Sequence, residues 1–297
     1  MKVLLTGGSG QLGSYLLEDL SRDHQVISVD LVAPRIREHV PFHRDGDIRD
    51  TVSMREACRD ADAIVHLAAQ VSVVRSTEDP AWDLDVNVGG TLSMLKAAND
   101  EGVPSFIHIS TAAVYGDPVY LPVDESHPTR PRSFYGTSKL SAEHYVRAFK
   151  ESFDQDYIII RPFNLYSPRA DPKSPYSGVI TRFVENAMNG MPLTIEGDGE
   201  QTRDFIHAKD VASMICSCLT SNIRNVTMNC GSGQSTTINA LAETVISVAP
   251  RPVEIVHGPP RVGDIRHSLG DASVSEKLLG FKPKISLRDG LAAFFDS

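Results

Sequence analysis

The chain has 297 residues, 41% of them hydrophobic and 23% charged, and a formal net charge of −9. That length supports a large core, as one large domain or two lobes, and the composition is that of a soluble globular protein. The negative balance excludes a nucleic-acid partner, since phosphate-backbone binding needs a basic face, and no apolar run approaches the ~20 residues of a membrane span. The opening "KVLLTGG" is already strand-like and leaves no room for a signal peptide. Cys58, Cys216, Cys218 and Cys230 form no C-x-x-C pair; they read as reduced structural thiols of a cytoplasmic protein, and no residue is assigned to a metal.

In chain order, "VLLTG" (3–7), "QVISVD" (25–30), "AIVHLAA" (63–69), "SFIHIS" (105–110) and "YIIIRPFN" (157–164) are apolar on both faces, as strands covered on both sides should be. Between them lie the amphipathic stretches 11–22, 51–60, 87–102 and 135–153. This alternation predicts an α/β fold with a doubly wound, Rossmann-type parallel sheet. After Asn164 the text turns rich in Pro, Ser and Gly ("YSPRADPKSPYSG", "NGMPLTIEGDGEQTRDF", "RPVEIVHGPPRVGD"), although "VTMNCGSG" (226–233) still reads as a sheet strand. The expected division is a nucleotide-binding domain of 1–165 plus about 205–235, and a smaller, discontinuous C-terminal substrate-binding lobe of 166–204 plus 236–297.

"VLLTGGSGQLGSYLLEDL" places Gly8, Gly10 and Gly13 in G-x-G-x-x-G spacing directly after a strand and opening a helix, with Gly7 extending the run. Glycines there allow a tight turn and close backbone approach, so a pyrophosphate can sit at the helix N-terminus. Asp30 ends the next strand; a carboxylate there accepts hydrogen bonds from ribose hydroxyls and repels a 2′-phosphate, which selects NAD over NADP. Arg35 and Arg37 follow closely. Asp47 and Ile48, after the next short strand, are placed to line the adenine.

"YGTSK" sets Tyr135 and Lys139 four residues apart at the head of a helix, on one face. A phenol with an ordinary pKa of about 10 is a poor base at neutral pH, but a nearby ammonium favours its phenolate. Such a tyrosine can take a proton from a sugar hydroxyl while hydride leaves carbon. Upstream, "HISTAAVYG" brings Ser110 and Thr111 to the C-terminal end of a strand, the edge where open parallel sheets bind ligands.

With T-G-G-x-G-x-x-G (6–13), Asp30, "HLAAQ" (66–70), Asn87 in "DVNVGGT", "STAAVYG", Tyr135/Lys139, "RPFNLYSPR" and "RDFIHAKDVA" in hand, the chain resembles an extended short-chain dehydrogenase/reductase of the nucleotide-sugar epimerase/dehydratase family. The likeness runs over essentially the whole length and is strongest to UDP-glucose 4-epimerase-type members. It implies that Thr111 is catalytic with Ser110 in support, and that Lys139 binds the nicotinamide ribose and tunes Tyr135. The cofactor shell it implies is Gly7, Gly10, Gln11, Leu12, Gly13, Asp30, Asp47, Ile48, Leu67, Ala68, Ala69, Asn87, Tyr135, Lys139 and Pro162. For the substrate it implies Thr111, Asn164 and Arg203 and Arg261 on the diphosphate, Asp264 at the uridine ribose, and Ser268 where a bulky side chain would restrict acetamido sugars. A homodimer built partly on the Tyr135 helix is implied as well.

Dehydratases of that family resemble T-D-E-V-Y-G, and UDP-glucuronate decarboxylases carry a glutamate two residues before that tyrosine; here Ala112 and Ala113 supply no carboxylate. What remains is reversible hydride transfer: C4 epimerisation of a UDP-sugar by tightly held NAD. A UDP-uronate 4-epimerase, for which Arg75 is an unplaced cationic candidate, and a keto-sugar reductase stay open, as does a non-catalytic NAD-binding sensor. His66, His108 and His207 read as core or polar-network residues, and Trp82 as packing.

Overall fold

The computed structural model describes residues 1–170, 178–261 and 264–296. β1 (Lys2–Thr6), α1 (Gln11–Leu20), β2 (Gln25–Asp30), β3 (His43–Asp45), α2 (Thr51–Cys58), β4 (Ala63–His66), α3 (Val73–Glu78), α4 (Pro80–Leu84), α5 (Gly90–Asp100), β5 (Ser105–Ile109), α6 (Phe134–Phe153) and β6 (Asp156–Pro162) follow one another in strand–helix alternation. With β7 (Asn164–Tyr166), α7 (Val179–Met188), β8 (Leu193–Glu196), β9 (Thr202–Arg203), β10 (Phe205–His207), α8 (Ala208–Thr220) and β11 (Val226–Cys230) the chain leaves the sheet and returns to it. β12 (Thr236–Thr237), α9 (Ile238–Val248), β13 (Ile255–Gly258), α10 (Ser273–Leu279) and α11 (Leu287–Ala292) complete it.

Seven parallel strands form the central sheet in the order β11-β6-β5-β4-β1-β2-β3, with the direction of winding reversing between β1 and β4. Because both faces are covered, the strands are apolar throughout. One layer joins α1 and α8 to the sheet through Leu12, Leu16, Leu17, Val211, Ile215 and Cys218. On the other face α2, α5 and α6 contribute Met54, Met94, Leu95 and Phe149. A third core, with Ile180, Phe183, Leu193, Leu241, Val245 and Leu291, holds α7, β8, α9 and α11 together beyond the sheet's C-terminal edge.

The five apolar runs and "VTMNC" all lie in this sheet, so the α/β doubly wound reading stands. One difference precedes α5. Asp79 caps α4, accepting from the Trp82 amide at 3.0 Å, and Pro80 starts it. Helix then runs on into α5 through a π-turn at Asp85–Gly89, a form found mostly at functional sites. That turn directs Asn87, 1% exposed, into the interior.

Candidate active site

The glycine loop between β1 and α1 is shaped by backbone contacts. Gly7 adopts φ +79°, and a Cβ there would stand 2.7 Å from the Ala68 amide nitrogen. A Cβ on Gly13 would stand 2.1 Å from the Gly7 carbonyl oxygen. Gly10 caps α1 without a side-chain bond, and the first turn carries no acidic residue, so its free amides and positive dipole end favour an anion. Ser9 Oγ and Gln11 Nε2 are buried there without partners. At the end of β2 the Asp30 carboxylate accepts from the Ser9 amide (3.0 Å) and the Val32 amide (3.1 Å), which fixes it beside the loop. A dinucleotide fits this set: a side-chain-free cradle for its diphosphate, and a fixed carboxylate for a ribose.

Around the cradle, Leu67 and Ala68 leave β4 against Gly7, with Ala69 next in the chain. Ile48 is buried under Gly90, while Asp47 is held by Arg49 at 2.6 Å, which lowers its pKa. Pro162 ends β6. Asn87 is tied inside the protein: its Oδ1 accepts from the Gln70 amide (2.8 Å) and its Nδ2 donates to Ser138 Oγ (3.0 Å) on α6.

Ser133 caps α6, its Oγ accepting from the Gly136 amide at 3.0 Å. The helix carries Tyr135 and Lys139 on one face toward β5. The Tyr135 phenol faces the Thr111 side chain, which acts to lower its pKa, while Lys139 is 3% exposed. Burial pushes the Tyr135 pKa up to about 12, and the Asp83 carboxylate adds to the rise against the lowering effect of Thr111. The phenol is therefore protonated at neutral pH, burial being the dominant influence. Lys139 is moved the other way, to about 8, by its own burial against the opposing pull of Glu143 and Asp83.

Ser110 is placed differently from Thr111: its hydroxyl donates to Glu143 at 2.6 Å. Ala112 and Ala113 lie in a short 3-10 turn, and the Ala113 carbonyl packs on Gly136 at the head of α6. Beneath Lys139, His66 accepts from Thr6 Oγ1 at Nδ1 (2.8 Å) and donates from Nε2 to Thr91 Oγ1 (3.0 Å), since the Thr91 proton goes to the Asn87 carbonyl. His108 stacks on it at 5.6 Å with neither ring nitrogen partnered, and burial holds both rings neutral. His207 caps α8 through Nδ1.

On the substrate side, Asn164 donates from both its amide and Nδ2 to the Asp204 carbonyl. Asp204, fully buried, collects Ser232 N and Oγ (both 2.6 Å), Gly233 N (3.2 Å) and Gly270 N (3.1 Å) on its carboxylate. Arg203 donates to Asp264 at 2.5 Å, so two residues expected on one ligand hold each other. Ser268 is half-buried, its amide bonded to the Thr202 carbonyl, and Arg261 is exposed. Arg75 stacks over the Trp82 ring at 4.1 Å.

The chain matches the NAD dependent epimerase/dehydratase family over residues 3–231, more than half its length. It belongs to that family. Within it, the chain is similar to the UDP-glucose 4-epimerase of Mycolicibacterium smegmatis, with 33% identity over 98% of this chain and 96% of that one. The crystal structure of the Thermotoga maritima UDP-glucose 4-epimerase with UDP-glucose matches at TM-score 0.93 and 33% identity, covering 100% of this chain and 99% of that one. A UDP-N-acetylglucosamine 4-epimerase of Methanobrevibacter ruminantium, solved with UDP-N-acetylmuramic acid, matches at TM-score 0.92 and 32% identity over 99% and 98% of the two chains.

This epimerase/dehydratase also carries polar residues around its site that the motif reading passed over. Glu143 continues the spacing of Tyr135 and Lys139 by another four residues, so the helix period alone exposes it. Asp83, joined at 2.6 Å to Gln70 of "HLAAQ" and like it buried, stands behind Asn87 and leaves no such local signal.

Proposed function

We propose that the protein interconverts UDP-sugars by epimerisation at C4, and that the observation carrying this reading is the approach of the Thr111 side chain to the Tyr135 phenol beside buried Lys139, with no carboxylate at positions 112 and 113. Bound NAD supplies a reversible hydride acceptor. Gly7, Gly10 and Gly13 cradle its diphosphate, and Asp30 takes the ribose hydroxyls. Tyr135 accepts the C4 hydroxyl proton and later returns it, Thr111 orients that oxygen, and the Lys139 ammonium draws the phenol toward phenolate once positive charge stands beside it. Arg203 and Arg261 take the diphosphate, Asp264 the uridine ribose, and Asn164 the phosphate edge. The substrate half then belongs to the lobe of 166–204 and 236–297. Ser268 is small enough to admit an N-acetyl group, so UDP-N-acetylglucosamine is accepted beside UDP-glucose. Stacking on Trp82 occupies Arg75, which disfavours the uronate reading.

Exposed Val73, Val74, Leu84, Leu92, Phe134 and Tyr145 on α3 to α6 support a homodimer across these helices. The four free cysteines fit a reducing, cytoplasmic setting. No helix among the described residues is long and apolar enough to cross a membrane.

Incubation without added NAD with UDP-glucose, UDP-N-acetylglucosamine and UDP-glucuronate, followed by separation of the 4-epimers, tests the reading. The first two sugars should be converted and Tyr135→Phe should stop both. Undiminished turnover by Tyr135→Phe refutes the assigned base; inertness toward acetamido sugars, with UDP-glucose converted, refutes the role of Ser268.

A further inference from the structure

Glu143 lies one turn beyond Lys139, on the face of α6 that turns into the protein. It is wholly buried, and its carboxylate accepts four hydrogen bonds. Oε1 takes Ser110 Oγ (2.6 Å) and Arg161 Nε (2.8 Å); Oε2 takes Arg161 Nη2 (2.6 Å) and Arg147 Nη2 (2.9 Å). Arg161, on β6, also donates to the Tyr115 hydroxyl (2.9 Å), which passes its proton to Asn229 Oδ1 (2.7 Å) on β11. We infer that Glu143 is a positioning residue of the reaction: through Ser110 it fixes the exit of β5, and hence Thr111, against the helix bearing Tyr135, and it places a negative charge beside Lys139.

A buried ion pair is weak evidence of stabilisation, because well-packed apolar residues hold such a position as well. Apolar residues supply neither an acceptor for Ser110 nor a charge near the lysine. Despite its burial Glu143 stays ionised, since the guanidinium of Arg161, the Ser110 hydroxyl and Arg147 together lower its pKa. The other groups acting on Lys139 come from different elements. Asp83 of α4 is the second carboxylate, while His66 of β4 and His108 of β5 are neutral. Glu143 thereby acts through Ser110, one residue away from the hydroxyl that faces the phenol.

This inference rests on the epimerase reading, and its test separates the two. Steady-state epimerisation is followed from about pH 6 to 9 for the wild type, Glu143→Gln, Glu143→Asp and Ser110→Ala, with circular dichroism as a check on folding. Misplacing the reacting groups should lower kcat of Glu143→Gln about tenfold or more, with KM within about twofold. Its alkaline limb should move to lower pH, because Lys139, already lowered to about 8, loses an opposing charge. Glu143→Asp keeps that charge on a shorter arm, so it should restore the alkaline limb while kcat stays reduced. Ser110→Ala removes one bond only; kcat should fall about threefold with the limb unmoved. If Glu143→Gln does not fold, the last two variants decide. Wild-type kcat and limb in the folded variants overturn the inference alone. No epimer from the wild type overturns the epimerase reading and this inference with it.

Discussion

Replacing Gly13 or Gly10 by alanine separates two demands on the nucleotide loop. A Cβ on Gly13 would stand 2.1 Å from the Gly7 carbonyl oxygen and 2.6 Å from Gly8 Cα, where ordinary contact begins at 3.4 Å, a shortfall of 3.4 − 2.1 = 1.3 Å. Both obstacles are backbone, so α1 must withdraw by about an ångström, straining the Gly10-to-Gly7 hydrogen bond of 3.2 Å and the packing of Leu16 and Leu17. Overpacking of this kind costs about 1–3 kcal/mol, and each kcal/mol lowers Tm by about 2–4 °C in a large domain. Gly10 differs: it has φ −74° and ψ 176°, and its Cβ would meet only the Gly7 oxygen, at 3.3 Å. Its methyl would instead stand in the space at the helix N-terminus. Gly10→Ala should therefore keep its Tm and lose about tenfold or more in NAD affinity, whereas Gly13→Ala loses both. Gly178→Ala, with no atom within 4 Å, is the control. Calorimetric scans give Tm, and titration of NAD into cofactor-stripped protein gives Kd. Gly10→Ala binding NAD like the wild type, or Gly13→Ala melting like it, would refute the reasoning.

Asp30→Ala removes the carboxylate that the Ser9 and Val32 amides hold in place; the ratio of NADP to NAD affinity should rise about tenfold or more, read by titration, and an unchanged ratio would deny Asp30 its selecting role. Acid should weaken the fold. Burial lowers His66 to about 3, so the stability of its neutral form is complete above the unfolded value of 6.5 and is lost as pH falls toward 3. At about 1.4 kcal/mol per unit, His66 alone costs about 2 kcal/mol between pH 6.5 and 5; equal urea midpoints at pH 7 and 5 would contradict this. Burial also pushes Cys58, Cys216 and Cys218 up to about 12 and raises Cys230, so a disulfide thiol reagent should find the native protein slow to react and all four thiols available in denaturant.

The sheet was legible because parallel strands covered on both faces must be apolar throughout, and "YIII" or "AIVH" can hardly be read otherwise. The second lobe was not: β9 and β12 are two residues each, and pairs such as Thr236 with Arg203 exist only because distant segments meet. In the site, local spacing exposes the glycine cradle and the Tyr135–Lys139 face. Thr111 needed the family resemblance, since nothing within "HISTAAVYG" says that a helix more than twenty residues on will meet it. Asp83 and Asp204 were missed for the same reason. Glu143 was within reach of the helix period and was overlooked.

Asp204 also bears on how the chain assembles. Its carboxylate draws amides from Ser232, Gly233 and Gly270, the last 66 positions away. Every strand of the central sheet lies before residue 231, so the sheet can form while Gly270 is still unattached. Until the C-terminal segment docks, a buried acid lacks one of its donors and the neighbouring Arg203 lacks Asp264. The central sheet can thus be complete early in synthesis, while one of its covering layers still waits for Val274, Leu279 and Phe281.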